Sequence, residues 1–247
     1  MSVHTLLGDG RLPLICVPLI SKNQAALVAD AQAVVAQSPD VIEWRVDHFN
    51  DIESQSAVLA AGQSLREIAG KIPLICTLRS SSEGGRELSL TSSAIDDLRL
   101  MMADQLPFEF HDVEMRLPEQ LINELLRKVH GRGRKVIFSA HDFHATPNDD
   151  LLESYFVRSH QLGGDAVKVA VMPQSPDDVL RLLSVTRRMS ESLPMPVISM
   201  SMGRLGVMSR IFGGVFGSAL TFATSAGDSA PGQIALTDLR AILSRVR

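Results

Sequence analysis

The sequence contains little cysteine and few aromatic residues. Its two cysteines, Cys16 and Cys76, both lie in apolar runs, so we expect buried, reduced thiols and a reducing compartment rather than a disulfide. Neither a CxxC nor an HExxH spacing occurs, which leaves a metal site without support. Aromatic residues make up 4% of the chain, the net charge is −4, and there is no basic block. Nucleic acid is therefore not an expected partner.

Long hydrophobic runs are also missing. No apolar stretch approaches the ~20 residues that span a bilayer, and the N-terminus lacks the basic and apolar regions of a secretory signal. We therefore expect a soluble, cytoplasmic protein with no membrane partner. The 247 residues are 45% hydrophobic and 21% charged, which suits a large folded domain. No low-complexity linker divides them, so we predict a single domain over residues 1–247.

Segments typical of strands and helices alternate along the chain, after a possible hairpin or cap within residues 1–11. The predicted strands cover residues 14–19, 41–47, 74–79, 108–115, 135–141, 165–171, 197–202 and 217–224. The predicted helices cover residues 23–37, 56–69, 92–105, 118–130, 149–162, 176–189, 204–212 and 234–246. Alternation implies parallel strands joined by helical crossovers. Eight such units in about 250 residues predict an α/β fold, a (β/α)8 TIM barrel with a short N-terminal hairpin. An open doubly wound sheet is the alternative.

The sixth predicted strand carries a lysine. Three valines alternate there with Ala166, Lys168 and Ala170, so the lysine shares its face with two small residues. A lysine inside a buried strand costs free energy unless it is paired or discharged. Desolvation favours its neutral amine, which is a nucleophile towards a carbonyl. A solvated lysine on an edge strand is the alternative.

Other predicted strands would point charged side chains into the same interior. These are Glu43, Arg45 and Asp47 on the second strand, Arg79 on the third, Asp112 and Glu114 on the fourth, and His141 on the fifth. A buried ion pair often costs more in desolvation than it returns. We therefore favour ligand binding for Glu43 and the two arginines, and pairing with basic residues for the other three carboxylates. His141, at the carboxyl end of its strand, is a candidate acid/base.

Two loops at the same end of the barrel contain small residues and glycines. They follow the third and eighth strands, at residues 80–90 and 225–233, and the second fits a lid that closes over a ligand. Arg210, in the short helix after the seventh strand, could fork onto a carboxylate, although an ordinary surface arginine is the alternative. Met200 and Met202 share a strand face, where they would pack in the core or shield the lysine from water.

A series of motifs runs from the first strand to Gln233. The motifs are Glu43-Trp44-Arg45, Thr77-Leu78-Arg79, Glu83-Gly84-Gly85, His141-Asp142-Phe143 with Thr146-Pro147, Val167-Lys168-Val169-Ala170, Ser209-Arg210, Phe216-Gly217-Ser218-Ala219 and Ser229-Ala230-Pro231-Gly232-Gln233. In this order they resemble the type I 3-dehydroquinate dehydratases, the Schiff-base dehydroquinases of the shikimate pathway. Two departures are the serines after Arg79, where a threonine is usual, and Arg116, where the family is often apolar.

The resemblance implies a homodimeric barrel that needs no cofactor and a hydro-lyase of aromatic amino-acid biosynthesis. Its substrate would be 3-dehydroquinate, and its product 3-dehydroshikimate. By the resemblance, Lys168 forms an imine with the C3 ketone of the substrate. His141 then removes the C2 proton and protonates the departing C1 hydroxyl, in a net syn elimination, while Glu83 orients His141.

The resemblance also implies how the substrate is held. Arg210 would bind the carboxylate together with Ser229 and Gln233. The groups assigned to the ring hydroxyls and the imine region are Glu43, Arg45 and Arg79, and those assigned to the remaining contacts are the apolar Met202, Phe222 and Ala230.

Two rival functions remain. A class I aldolase or transaldolase also uses a barrel lysine, but residues 225–233 show no convincing phosphate nest. A catalytically inactive barrel could act as a binding module, although the presence of both Lys168 and His141 argues against it. A biosynthetic and a quinate-catabolic role are equally compatible with the sequence.

Overall fold

The computed structural model describes residues 13–225 and 230–245, so the predicted N-terminal hairpin lies outside the described residues. The strands are β1 (Leu14–Leu19), β2 (Val41–Arg45), β3 (Leu74–Thr77), β4 (Phe110–Glu114), β5 (Lys135–Asp142), β6 (Ala166–Val171), β7 (Val197–Ser201), β8 (Leu220–Thr224) and β9 (Ile234–Ala235). The helices are α1 (Gln24–Val35), α2 (Gln55–Ala69), α3 (Ser92–Gln105), α4 (Glu119–Gly131), α5 (Asp149–Gln161), α6 (Pro176–Ser192), α7 (Val207–Phe212) and α8 (Leu236–Leu243).

All strand pairings are parallel, in the order β7-β6-β5-β4-β3-β2-β1-β8-β9. A bridge between Val197 on β7 and Ser218, just before β8, joins the two sides of the curled sheet. The first eight strands therefore close into the predicted (β/α)8 barrel, with a helix after each strand.

Several predicted element bounds were wrong. The second strand ends at Arg45, because residues 46–48 form a 3-10 turn, and the third ends at Thr77, before Arg79. The eighth strand begins only at Leu220, because a 3-10 turn and a left-handed Gly217 precede it. Residues 234–235, predicted as helix, pair with β8 instead and form the unpredicted β9.

Polar residues fix where most of the crossover helices begin. Asn23, Ser54, Thr91 and Asn148 each accept a hydrogen bond from the backbone N–H three residues later. Ser175 forms a capping box before the proline that opens α6. Because such caps satisfy N–H groups that the first helical turn leaves without partners, these residues set the point at which each loop enters its helix.

The core has two parts, one inside the barrel and one between the strands and the helices. Inside lie apolar residues such as Val41, Ile75 and Ala166. Outside, Trp44 is fully buried and stacks edge-on against Phe49 at 5.8 Å between ring centres. The three valines of β6 also face the helices, so the lysine face of that strand points inward, as predicted.

The described residues bear out one further expectation. Cys16 and Cys76 are buried free thiols. None of the helices described is both long and apolar enough to cross a membrane.

Candidate active site

A cleft of about 450 Å³ opens at the carboxyl ends of the strands. It is lined by Glu43, Arg45, Arg79, Glu83, His141, Phe143, Lys168, Ala170, Met200, Met202, Arg210, Phe222, Ala230 and Gln233. Every site residue predicted from the sequence is in this set except Ser229, which lies outside the described residues. Phe143 and Ala170 were not predicted as lining residues, although both belong to the motifs that contain His141 and Lys168.

Lys168 points into the cleft from the middle of β6. Its side chain is 8% exposed, and Nζ donates to Glu43 Oε1 at 3.2 Å and to Asp112 Oδ2 at 3.4 Å. Nζ also lies 4.6 Å from the centre of the Phe222 ring, where an ammonium is attracted to the π face. Thr77 donates to the same glutamate oxygen at 2.7 Å, which holds the carboxylate in place. The amine is therefore fixed in position and reachable from the cleft.

Arg79 lies beyond the end of β3 and crosses the barrel interior. Its Nη2 donates to Asp112 Oδ2 at 2.6 Å, and its Nη1 donates to Glu114 Oε1 at 3.0 Å and to Ser139 Oγ at 2.8 Å. Burial alone would lower the pKa of Arg79 and raise that of Asp112. The attraction between the opposite charges outweighs burial, so the pKa of Arg79 is raised and the pKa of Asp112 is lowered. This network keeps both groups charged, and it confirms the predicted pairing of Asp112 and Glu114 with basic residues.

Arg45 and Asp47 form a second buried pair, made possible by the 3-10 turn after β2. Nε and Nη2 of Arg45 donate to the two oxygens of Asp47 at 2.9 and 2.8 Å. Asp47 also accepts the backbone N–H groups of Arg79 and Arg86 at 3.3 and 3.2 Å. The predicted pairing of Asp47 is confirmed, and its carboxylate ties the loop after β3 to β2.

Glu83 reaches His141 because the loop after β3 folds back over the barrel. Gly84 adopts a left-handed conformation, with φ of 81°, and a side chain there would collide with the ring of Phe143. A side chain at Gly85 would collide with the carbonyl of Arg79. Both positions therefore require glycine. As a result, Glu83 Oε2 lies 2.9 Å from His141 Nδ1 and accepts the His141 backbone N–H at 3.1 Å.

Electrostatics favour a neutral imidazole at this position. Burial lowers the pKa of His141 well below its ordinary value, and the cations Arg79 and Lys168 lower it further. Burial also raises the pKa of Glu83 to about 7; Arg79 opposes this rise, and Glu114 adds to it. The contact between His141 and Glu83 at neutral pH is thus a hydrogen bond of a neutral ring rather than an ion pair. Such a ring is prepared to accept a proton.

Arg210 also lines the cleft and is only 1% exposed. Its Nη2 donates to the carbonyl of Pro231 at 3.0 Å, and its Nη1 lies 3.8 Å from the sulfur of Met200. The same carbonyl accepts the Gly203 backbone N–H at 3.1 Å. These contacts hold residues 230–233 next to the guanidinium, so the alternative of an ordinary surface arginine is wrong.

The described residues offer little for a metal ion. No group of three or more His, Cys, Asp or Glu side chains with suitable geometry occurs among residues 13–225 and 230–245. Four buried carboxylates, those of Glu43, Asp47, Asp112 and Glu114, are instead paired with Lys168 or with an arginine.

Fold and cleft together define the class of protein: a (β/α)8-barrel enzyme, whose active site opens at the carboxyl ends of the strands. Comparison with known proteins specifies it further. Residues 15–246 match the family model described as type I 3-dehydroquinase. The chain belongs to the type I 3-dehydroquinase family.

Named relatives agree over nearly the whole chain. A 3-dehydroquinate dehydratase from Albidiferax ferrireducens is 41% identical over 241 residues, which cover 98% of this chain and 91% of that protein. The crystal structure of the 3-dehydroquinate dehydratase from Geobacillus kaustophilus superposes with a TM-score of 0.92 at 37% identity and covers 95% of this chain and 91% of that one. The type I enzyme from Clostridium difficile, solved with covalently modified comenic acid, gives a TM-score of 0.91 at 38% identity, with 95% and 92% covered.

Proposed function

We propose that this chain is a hydro-lyase that converts 3-dehydroquinate to 3-dehydroshikimate through an imine on Lys168. The observation that carries the proposal is the placement of a buried lysine amine and a buried histidine in one cleft of a type I 3-dehydroquinase barrel. An amine and a separate acid/base group are what an imine-assisted elimination requires. The reaction is one step of the shikimate pathway.

In the first step, the ammonium of Lys168 gives up a proton, and the free amine attacks the C3 ketone. The carbinolamine takes that proton back and loses its oxygen as water, and a protonated imine remains. That iminium makes the C2 proton acidic because it accepts the electron pair left behind when the proton departs. Glu43 and Asp112, at 3.2 and 3.4 Å from Nζ, balance the positive charge of the amine before the reaction and of the iminium after it.

His141 carries the protons in the second step. The imidazole takes the proton from C2, and the resulting enamine expels the C1 hydroxyl, which leaves as water with the proton that His141 returns. When Glu83 is ionised, its Oε2 accepts a hydrogen bond from Nδ1, 2.9 Å away, which leaves Nε2 for the substrate. Hydrolysis of the new imine releases the product and restores the lysine amine.

The remaining cleft residues bind and shield the substrate. Arg210 binds the carboxylate, assisted by Gln233 and by Ser229, because a guanidinium forks onto two carboxylate oxygens. Glu43, Arg45 and Arg79 contact the ring hydroxyls and the imine region. The apolar walls are Met202, Phe222 and Ala230. Closure of residues 225–233 over the ligand would exclude water from the imine.

We further propose that residues 1–247 act as a single domain, as a homodimer and in the cytoplasm. The absence of a linker in the sequence and the buried free thiols support the first and last of these proposals. Family membership supports the dimer.

The function is tested by supplying 3-dehydroquinate and following the ultraviolet absorbance of the conjugated enone product. Wild-type protein should generate it, Lys168→Ala should not, and Lys135→Ala should match the wild type. Lys135 is a matched control because it is the first residue of β5, at the end of the barrel away from the cleft. Its Nζ lies 2.9 Å from Asp165 Oδ1. Absence of enone with the wild-type protein would reject the proposed function.

A further inference from the structure

One oxygen of Glu83 faces a charge that comes from outside the cleft. Arg116 lies in the turn between β4 and α4, with a side chain that is 60% exposed, and its Nε is 3.7 Å from Glu83 Oε1. That oxygen is buried and accepts no hydrogen bond from any of the described residues. A buried acceptor without a hydrogen bond is costly, and the nearby guanidinium of Arg116 is the charged group that can stabilise this oxygen from outside the cleft.

The two oxygens of Glu83 have different surroundings. Oε2 already accepts the backbone N–H of His141 at 3.1 Å and contacts its ring nitrogen at 2.9 Å. A proton added to the carboxylate would therefore settle on Oε1, the oxygen that Arg116 approaches. A positive charge 3.7 Å from Oε1 opposes that protonation.

Other charged groups also face Glu83, but they are tied into the buried network. Arg79 lies 3.6 Å from Oε2, and it is already bound to Asp112 and Glu114 of β4. These two carboxylates favour the protonated form of Glu83, as burial does, whereas Arg79 and Arg116 favour the ionised form. Arg116 stands apart from this network, so it can be changed without breaking a buried pair within it.

We propose that Arg116 is a positioning residue for the reaction, which favours the ionised form of Glu83 and thereby keeps His141 oriented and able to take up a proton. This inference rests on the proposed function. Its consequence is that Arg116 extends activity towards lower pH. Below the pH at which Glu83 takes up a proton, the imidazolium that forms during the reaction loses its compensating charge.

The size of the effect follows from distance and exposure. For a largely exposed charge about 4 Å away in a water-like surrounding, the interaction corresponds to a shift of roughly 0.5–1 pH unit. The acid limb of the kcat/KM profile of Arg116→Met should therefore move to higher pH by roughly 0.5–1 unit. Well below that limb, the loss of kcat/KM should be roughly three- to tenfold, and it should vanish at high pH.

The test compares pH profiles of wild type, Arg116→Met, Arg116→Lys and Arg127→Met. Arg116→Lys retains the charge and should restore the wild-type profile. Arg127 is a matched control, because its side chain is 72% exposed on α4 and its partner is Glu124 at 3.9 Å. Its loss should leave the profile unchanged. At 1 M salt, where the screening length is about 3 Å, the difference between wild type and Arg116→Met should shrink.

A second measurement does not depend on turnover. The carbon-13 signal of the Glu83 carboxyl, assigned with Glu83→Gln, should titrate at higher pH in Arg116→Met than in the wild type. An unchanged titration, or a loss of activity that is equal at every pH and not restored by Arg116→Lys, would overturn the inference. If the wild-type protein failed to dehydrate 3-dehydroquinate while the titration shifted, the proposed function would fail and the charge effect on Glu83 would stand.

Discussion

Replacing His141 by alanine separates the two chemical steps of the proposed reaction. The lysine makes the electrophile and the histidine moves the protons, so His141→Ala should still form the imine and should fail at elimination. Lys168 keeps its contacts to Glu43 and Asp112 in this variant, because neither involves the histidine. The imine should therefore accumulate instead of turning over.

The size of the loss follows from the role of the imidazole. A positioned general acid/base typically contributes ~10²–10⁴-fold, which is about 3–5.5 kcal/mol of barrier. His141 serves twice, as base and then as acid, so we expect a loss towards the upper end of that range. The fold should survive, because Glu83 Oε2 keeps the backbone N–H of residue 141 at 3.1 Å.

The assay pairs enone absorbance with intact-mass spectra after borohydride reduction. His141→Ala should show slow turnover together with a stable, reducible adduct. His160→Ala, a change at an exposed residue of α5, is the matched control and should behave as the wild type. Near-normal turnover of His141→Ala, or loss of the adduct along with the activity, would refute the division of labour between the two residues.

Two further predictions concern ligand binding and stability. Arg210→Ala should lower kcat/KM by roughly 30- to 4,000-fold, since losing a buried charged partner costs ~2–5 kcal/mol. Gln233→Ala should lower it by only about fivefold, since a neutral hydrogen bond contributes ~1 kcal/mol. Equal small losses in the two variants would mean that the carboxylate binds elsewhere. Asp47→Ala should lower the free energy of unfolding in urea by ~3–5 kcal/mol, because it leaves Arg45 buried and unpaired. The pKa of Asp47 is lowered, since bonding to Arg45 outweighs burial. The contribution of Asp47 to the free energy of unfolding should thus be complete above the ordinary carboxyl range near pH 4, and it should disappear as the pH falls through the folded-state pKa. A difference in stability between wild type and Asp47→Ala that does not change with pH would contradict the pairing of Asp47 with Arg45.

Alternation along the strands was enough to predict the inner face of the barrel. A side-chain period of two places Lys168 on the same strand face as two alanines, with three valines on the other face. It also places Glu43 and Arg45 together on one face of their strand. The structure confirms both arrangements. Because the alternation of side chains along a strand is a local property, it can be predicted from the sequence alone.

Loop geometry was beyond what alternation can predict. The contact of Glu83 with His141 depends on a left-handed Gly84 packed on Phe143 and on a glycine beside the carbonyl of residue 79. The pairing of β9 with β8 depends on how the chain returns past Gly203. Both are tertiary contacts between segments far apart in sequence, and no periodic signal marks them.

The hydrogen-bond partners of Arg79 could not be predicted from alternation either. The three hydrogen-bond partners of its side chain come from two strands, and only the register of β4 with β5 brings Ser139 next to Glu114. The sequence predicted that Asp112 and Glu114 pair with basic residues, but not with which. The sequence also predicted Arg79 within the third strand, whereas β3 ends at Thr77.

Covalent trapping shows directly whether Lys168 forms the imine. Wild-type protein is incubated with 3-dehydroquinate, reduced with borohydride, digested and mapped by mass spectrometry. We expect one substrate-dependent adduct, on Lys168, and none in Lys168→Ala. An adduct on a different lysine, or turnover that persists in Lys168→Ala, would contradict it.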